Sequence, residues 1–432
     1  MAKVAIVGAG HVGVVYAAGL AELGHTVRVV DIDRARVVAL RKGRVWFHEP
    51  GLPELLARGL RRRRVTFATS HPSAFAGAEF IFVCVPTPTT TDGSLDDSML
   101  RSAFQLIRKH TGADRPIVVN KSTVPVGTGD LARKVFGDSG LQIVSSPEFL
   151  AEGRAVEDFF HPSRIVLGSN DRPAAEAVAK LFVALRAPVV YTDVATAEFS
   201  KLAANAFLAM KVSFANALAR LSEAVGADVD GVTQVLSLDR RIGEGHLRAG
   251  LGFGGSCLPK DVAAVEHLAR QSDANADLFS AVLRVNRDQR SRVVDHLIQR
   301  FGSVAGRRIA ILGLAFKAGT DDIRESAAIA LAEQLLALHA DVVLYDPVAR
   351  AEIRNGAVKA SVARSAIGAA RRADAVVLAT EWPELAAVDL KELRKAMRGN
   401  VLVDGRGIVA PGAARALGFD YFGFGRGGRT QS

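Results

Sequence analysis

The sequence predicts an α/β protein made of two doubly wound domains joined by a long central helix. Three observations carry that reading. At the N-terminus an apolar run of strand length, Val4–Val7, meets a glycine-spaced turn and then a helix. A second strand–loop–helix–strand unit opens at Arg307 and closes on Asp346. Between them, residues 196–225 hold no proline or glycine, and their apolar residues recur at three- and four-residue spacing. The 432 residues exceed what one core organises, and the pattern divides them at 1–195, 196–298 and 299–432.

Taken in order, the first element is "KVAIVGAGHVGVVYAAGLAELGHTVRVVDID". Gly8 allows the tight turn, Gly10 lets the backbone approach a pyrophosphate, and Gly13 lets helix and strand pack closely. The helix that follows presents unpaired N–H groups and the positive end of its dipole. Asp31, closing the second strand, stands where a carboxylate accepts from both hydroxyls of a ribose. An acid there disfavours an added 2′-phosphate, so the fingerprint predicts NAD.

"FIFVCVP" (80–86) and "PIVVNKSTV" (116–124) read as buried parallel strands, with Cys84 as a core residue of the first. After the strand-like "LQIVS", the stretch "SPEFLAEGRAVEDF" (146–159) carries Glu148 and Glu152 four apart. They read either as carboxylates on a helix surface or as a carboxylate placed to activate a water. The helix over 196–225 puts Lys201 and Asn205 on one face. That pair is either a wet face or, in so apolar a segment, a set of donors to an oxyanion. The helix is the expected spine between the domains and a surface for a second copy of the chain.

"GLGFGGSCLPKD" (250–261) holds Cys257 in a glycine-rich loop, with Lys260 and Asp261 just beyond. Gly252, Gly254 and Gly255 would permit close approach to a ligand, and Lys260 would favour thiolate. Cys257 is thus either a small residue in a tight turn or a nucleophile. A hydride acceptor with a nucleophilic thiol is the equipment for oxidising an aldehyde through a thioester. The second α/β unit lacks the dinucleotide fingerprint in "GLAFKAGTDD", gains strands at 375–380 and 400–405, and ends in "GFGRGGRTQS", expected to be a mobile tail.

Composition narrows the partners. The net charge of +10 fits phosphate-bearing ligands or a solvated surface. "RRRR" at 61–64 reads as a helix end, and without interleaved aromatics no nucleic-acid partner is expected. Two cysteines cannot make a disulfide framework, no charged-then-apolar leader precedes Lys3, and no run suggests a bilayer span. A cytoplasmic protein without membrane or metal partners is expected.

These pieces, with "EPGLPELL", "KSTVPVGT", "SPEFLAEG", "KLAANAFLAMKVSFAN", "GFGGSCLPKD", "GLAFKAGTDDIRES" and "DGRGI" in order over residues 1–425, resemble the UDP-glucose/GDP-mannose dehydrogenase family. The resemblance implies two Rossmann-like domains, a homodimer built on the long helix, and two NAD-linked oxidations at one site that turn a nucleotide-sugar alcohol into an acid, with UDP-glucose favoured over GDP-mannose. A single-step β-hydroxyacid-type dehydrogenase is the other enzyme reading.

By the same resemblance Cys257 is the nucleophile, Lys201 and Asn205 polarise the sugar oxygen, and Asp261 moves a proton through water. Thr123 and Glu152 position water, and Glu148 contacts the substrate. Lys317, Arg406, Phe253 and Gly254 line the nucleotide-sugar, and Arg241 reaches it across the dimer. His11, Val12, Thr87, Thr123, Glu152, Lys260 and Arg324 join the glycines and Asp31 around NAD. His11, Pro86 and Ala217 depart from the residues common at those places.

Overall fold

A computed structural model describes residues 1–111, 114–356 and 358–426. The chain forms two compact units, Met1–Ala204 and Asn205–Ser432.

The first unit is an eight-stranded sheet of β1 (Lys3–Val7), β2 (Thr26–Val30), β3 (Val65–Ala68), β4 (Phe80–Val83), β5 (Ile117–Asn120), β6 (Ile143–Ser145), β7 (Ile165–Gly168) and β8 (Val189–Thr192). Its order is β3-β2-β1-β4-β5-β6-β7-β8. Neighbours run parallel except β6 and β7, which pair antiparallel at Ser145 and Gly168. Side chains of β1 alternate between two cores: Val4 and Ile6 pack on one face of the sheet, Ala5 and Val7 on the other. With both faces covered, β4 is buried at every residue, which is why it reads as a continuous apolar run. The strand order reverses between β1 and β4, and Gly8 lies at the carboxyl end of β1, in the crevice where doubly wound sheets bind ligands.

The second unit repeats the plan. Its strands are β9 (Arg308–Leu312), β10 (Asp341–Tyr345), β11 (Arg354–Asn355), β12 (Val358–Lys359), β13 (Ser361–Val362), β14 (Ala375–Leu378), β15 (Val401–Asp404) and β16 (Asp420–Gly423). Six of them form a parallel sheet ordered β13-β10-β9-β14-β15-β16, and β11 with β12 makes a separate antiparallel ribbon. Asp346, after β10, stands where Asp31 stands after β2, yet it is wholly engaged within the protein. One oxygen accepts the N–H groups of Leu314 (2.6 Å) and Ala315 (3.1 Å) and the Trp382 indole (3.1 Å). The other accepts Val348 and Ala349 N–H at 2.9 and 2.8 Å.

The predicted spine is one helix, Val194–Val225. By length and composition it could cross a bilayer. Its buried residues, however, include Glu198, Lys201, Asn205, Ser213, Asn216 and Ser222, the pattern of a core helix with polar partners.

The predicted tail at 423–432 is overturned in part; residues 427–432 lie outside the described residues. Gly423 ends β16, Phe424 is 2 % exposed, and the Gly425 N–H donates to Glu223 Oε1 at 2.8 Å. Arg426 pairs with Asp230 at 2.8 Å. Glycine is needed at 425 because its φ is +68° and a Cβ would lie 2.7 Å from Val229. Phe424→Ala is therefore expected to lower unfolding stability by about 3–5 kcal/mol, read as a lower midpoint in denaturant.

Candidate active site

The dinucleotide turn is built by three glycines with different duties. At Gly8, with φ +100°, a Cβ would lie 2.5 Å from the Cys84 carbonyl oxygen; at Gly13 it would lie 2.0 Å from the carbonyl oxygen of Gly8. At Gly10 a Cβ meets nothing within 4 Å, so the space before the helix His11–Glu22 is open. Asp31 is buried and held by the N–H groups of Ala9 (2.6 Å) and Asp33 (2.8 Å), with Arg36 Nη1 3.3 Å away. Its remaining lone pairs suit a ribose, and the open N-terminus suits a pyrophosphate, so these residues fit NAD. His11 and Val12 are half-buried in the first helical turn, and His11 Nε2 meets Glu49 Oε2 at 2.8 Å.

Glu49 also accepts the N–H groups of Gly153 and Ala155, both at 2.7 Å. It thereby fixes the turn containing Glu152, a duty that nothing in sequence reasoning assigned to it. Thr87 donates to the carbonyl of Thr123 at 2.5 Å, so these two predicted residues meet. Glu148 and Glu152 do not lie on a helix, because the helix after β6 begins only at Ala155. Glu148 sits in an irregular turn, accepts the Leu150 N–H at 2.6 Å and pairs with Lys201 Nζ at 3.3 Å. Both partners are buried, which rules out the wet-face reading of Lys201.

Behind them lies Lys121, also buried, donating to Ser146 Oγ (3.2 Å) and more weakly to the Pro147 carbonyl (3.5 Å). Burial pushes its ammonium down to about 8, against the attraction of Glu148. A lysine inside the apolar "PIVVNKSTV" was the available signal. Cys84 is core as expected, just past the end of β4, its thiol pushed up to about 12 by burial.

In the second unit Cys257 is exposed and caps the helix Leu258–Gln271. Asp261, in the first turn of that helix, is fully buried, accepting Asn205 Nδ2 at 2.5 Å and Lys260 Nζ at 2.6 Å. The Lys260 ammonium is thus paired with Asp261, and Cys257 stands at the N-terminus of the helix that carries both. The loop glycines lie close to protein neighbours. A Cβ at Gly252 would lie 2.2 Å from Asn286 Oδ1, at Gly254 2.3 Å from the Glu325 carbonyl oxygen, and at Gly255 2.7 Å from the Phe316 ring. At each of the three positions a Cβ is excluded by a protein neighbour. Phe253 is buried, and both its N–H and its carbonyl are taken by Asn286. Asn216 and Gln289 hold the two ends of Gly250 in the same way.

Arg406 lies against this loop, donating to the carbonyls of Ala379 (2.8 Å), Gly252 (3.0 Å) and Phe316 (3.1 Å), so it ties three segments together. Lys317 is half-buried 5.7 Å from the Phe316 ring centre. Arg324 is exposed and bound to Asp322 at 2.9 Å. Arg241 is exposed and paired with Asp239. Among the described residues no cluster of three His, Cys, Asp or Glu could hold a metal ion.

Glu198, three residues before Lys201, accepts the N–H groups of Gly127 (2.8 Å) and Gly129 (2.9 Å) and so ties the segment after Thr123 to the long helix. Burial pushes its carboxyl up to about 7, outweighing those N–H groups. Because the folded value is the higher one, the stability this group contributes is complete below the ordinary carboxyl range and is lost as pH rises through about 7. Glu198→Gln, which does not titrate, is expected to fall short of the wild type most at pH 5.5. The gap should close by about 2 kcal/mol by pH 8.5 in denaturant titrations.

Three family models match the chain in order: the NAD binding domain of the UDP-glucose/GDP-mannose dehydrogenase family at residues 2–186, its central domain at 195–288, and its UDP binding domain at 310–411. The UDP-glucose 6-dehydrogenase AglM of Haloferax volcanii is 44% identical over 97% of this chain and 99% of its own. The UDP-glucose 6-dehydrogenase YwqF of Bacillus subtilis is 38% identical over 98% of each. A solved UDP-glucose dehydrogenase from Pyrobaculum islandicum superposes with a TM-score of 0.92 at 37% identity, over 99% of this chain and 98% of its own. Fingerprint, thiol loop and paired sheets are those of one lineage, and the chain belongs to the UDP-glucose/GDP-mannose dehydrogenase family.

Proposed function

We propose that this NAD-dependent nucleotide-sugar dehydrogenase is a UDP-glucose 6-dehydrogenase that carries C6 from alcohol to acid through a thioester on Cys257. The observation that carries the reading is an exposed thiol at a helix N-terminus, one turn from a buried Asn205–Asp261–Lys260 cluster, in a chain with a dinucleotide turn. The UDP binding domain and the relatives' names support UDP-glucose over GDP-mannose.

NAD, when bound, supplies the hydride acceptor for each oxidation. Lys201 and Asn205, one helical turn apart, donate to O6 and stabilise the negative charge that develops there. Asp261 accepts the O6 proton through a water, and Glu148 holds Lys201 while contacting the sugar. As C6 gives up hydride and O6 its proton the aldehyde forms, and the Cys257 thiolate then adds to its carbon, making a C–S bond while the C=O π pair moves onto O6. Loss of hydride leaves a thioester, and water placed by Thr123 and Glu152 cleaves that bond, releasing carboxylate and returning a proton to sulfur. Lys317, Arg406, Phe253 and Gly254 are assigned to the nucleotide-sugar and Arg324 to the cofactor. Arg241, exposed on one copy, is assigned to the sugar of a second.

The division at 1–195, 196–298 and 299–432 is the functional one we assign, the middle segment supplying thiol and dimer surface. Phe207, Phe214 and Leu221, seven residues apart, form an exposed stripe on the long helix, which supports a homodimer. A cytoplasmic location without membrane or nucleic-acid partners accords with a thiol-dependent reaction.

The wild type is expected to yield about two NADH per UDP-glucose, and Cys257→Ala to lose the second oxidation. One NADH per sugar in both proteins, or turnover of GDP-mannose alone, would overturn the assignment. Phe214→Asp is expected to shift the chain from dimer to monomer in sedimentation equilibrium.

A further inference from the structure

Lys121 is a charge that the proposed chemistry leaves unused. It follows β5, is 3 % exposed, and its ammonium lies 4.5 Å from the centre of the Tyr16 ring. Its donors go to Ser146 and Pro147, the two residues that lead into Glu148. The charged and titratable groups that face it come from separate elements: Glu148 from the turn after β6, Cys84 from the end of β4, Lys201 from the long helix and Tyr16 from the first helix. All of them belong to the first unit.

Two buried ammonium groups therefore flank one buried carboxylate. Desolvating an ammonium costs several kcal/mol in real proteins, and an apolar side chain of similar length would fill the same space. Packing gives no reason for a lysine at this place. Its charge gives one, because Glu148 attracts the Lys121 ammonium while Lys201 repels it, and Glu148 pairs with Lys201 at 3.3 Å.

We propose that Lys121 is a positioning residue whose buried ammonium, hydrogen-bonded to Ser146 and Pro147 beside Glu148, biases the protonation of the Glu148–Lys201 pair while it stays charged. The inference rests on Lys201 taking part in the proposed oxidation. With a neutral side chain at 121 the carboxylate keeps one cation, and Lys201, relieved of a like charge, holds its proton to higher pH.

The test compares the wild type with Lys121→Met and Lys121→Arg in the full-length protein. The first readout needs no turnover: an NMR titration of Lys201 in protein carrying ¹³Cε-lysine, its signal assigned by loss in Lys201→Arg. The midpoint is expected to rise in Lys121→Met and not to rise in Lys121→Arg, whose charge persists at every pH read. The second readout is kcat for NADH formation from UDP-glucose over the same pH range, whose Lys201-dependent limb should move by the same amount in Lys121→Met only. Should Lys121→Met fail to fold, Lys121→Gln, neutral but still a donor for Ser146 and Pro147, is read in its place. An unmoved Lys201 midpoint overturns the proposal, however far kcat falls. A moved midpoint with an unmoved kcat limb overturns the catalytic consequence. A wild type that reduces no NAD overturns the reading of function, while the titration still decides the coupling.

Discussion

A helix that buries charge dictates where its neighbours go. On Val194–Val225 three successive polar side chains are out of water, and each is satisfied by a different segment: Glu198 by the backbone of Gly127 and Gly129, Lys201 by Glu148, Asn205 by Asp261. An unpaired buried charge is far more costly than a missing apolar contact. In the first unit the loop after Thr123 and the turn before Glu152 are thus held by buried charge on the helix, and in the second unit the helix after Cys257 is held by Asn205.

Much of this was legible in the residue order. Alternation of apolar runs with glycine turns gave both sheets, because strands covered on both faces must be continuously apolar and the crossings between them need turns. The fingerprint glycines and Asp31 fall where the pattern put them, and the absence of proline and glycine over 196–225 marked the long helix. Cys257 could be singled out because a thiol among glycines and charges is poorly explained by packing.

What was hidden depends on partners distant in sequence. Four-residue spacing at Glu148 and Glu152 suggested a helix face, but the local backbone is irregular and is held by the Leu150 N–H on Glu148 and by Glu49, about a hundred residues away. The glycines of the thiol loop are also required by Asn286, Phe316 and Glu325, whose approach no local pattern announces. Arg406 binds three carbonyls that no local pattern brings together. The last segment looked like a tail because Gly and Arg dominate it, yet one buried Phe424 outweighs that composition.

The two sheets share a strand order but not the freedom of their second-strand aspartates. Asp346 spends its lone pairs on four backbone N–H groups and an indole, and leaves a ribose no acceptor to compete for. The duplicated plan therefore offers one seat for a dinucleotide, not two. On the proposed chemistry each sugar needs that seat twice, so the spent cofactor must depart and a fresh one arrive midway through a single turnover. A half-oxidised sugar has to outlast the exchange, and a covalent hold on sulfur, together with a separate grip on the nucleotide, is a way to keep a reactive aldehyde from escaping during the interval.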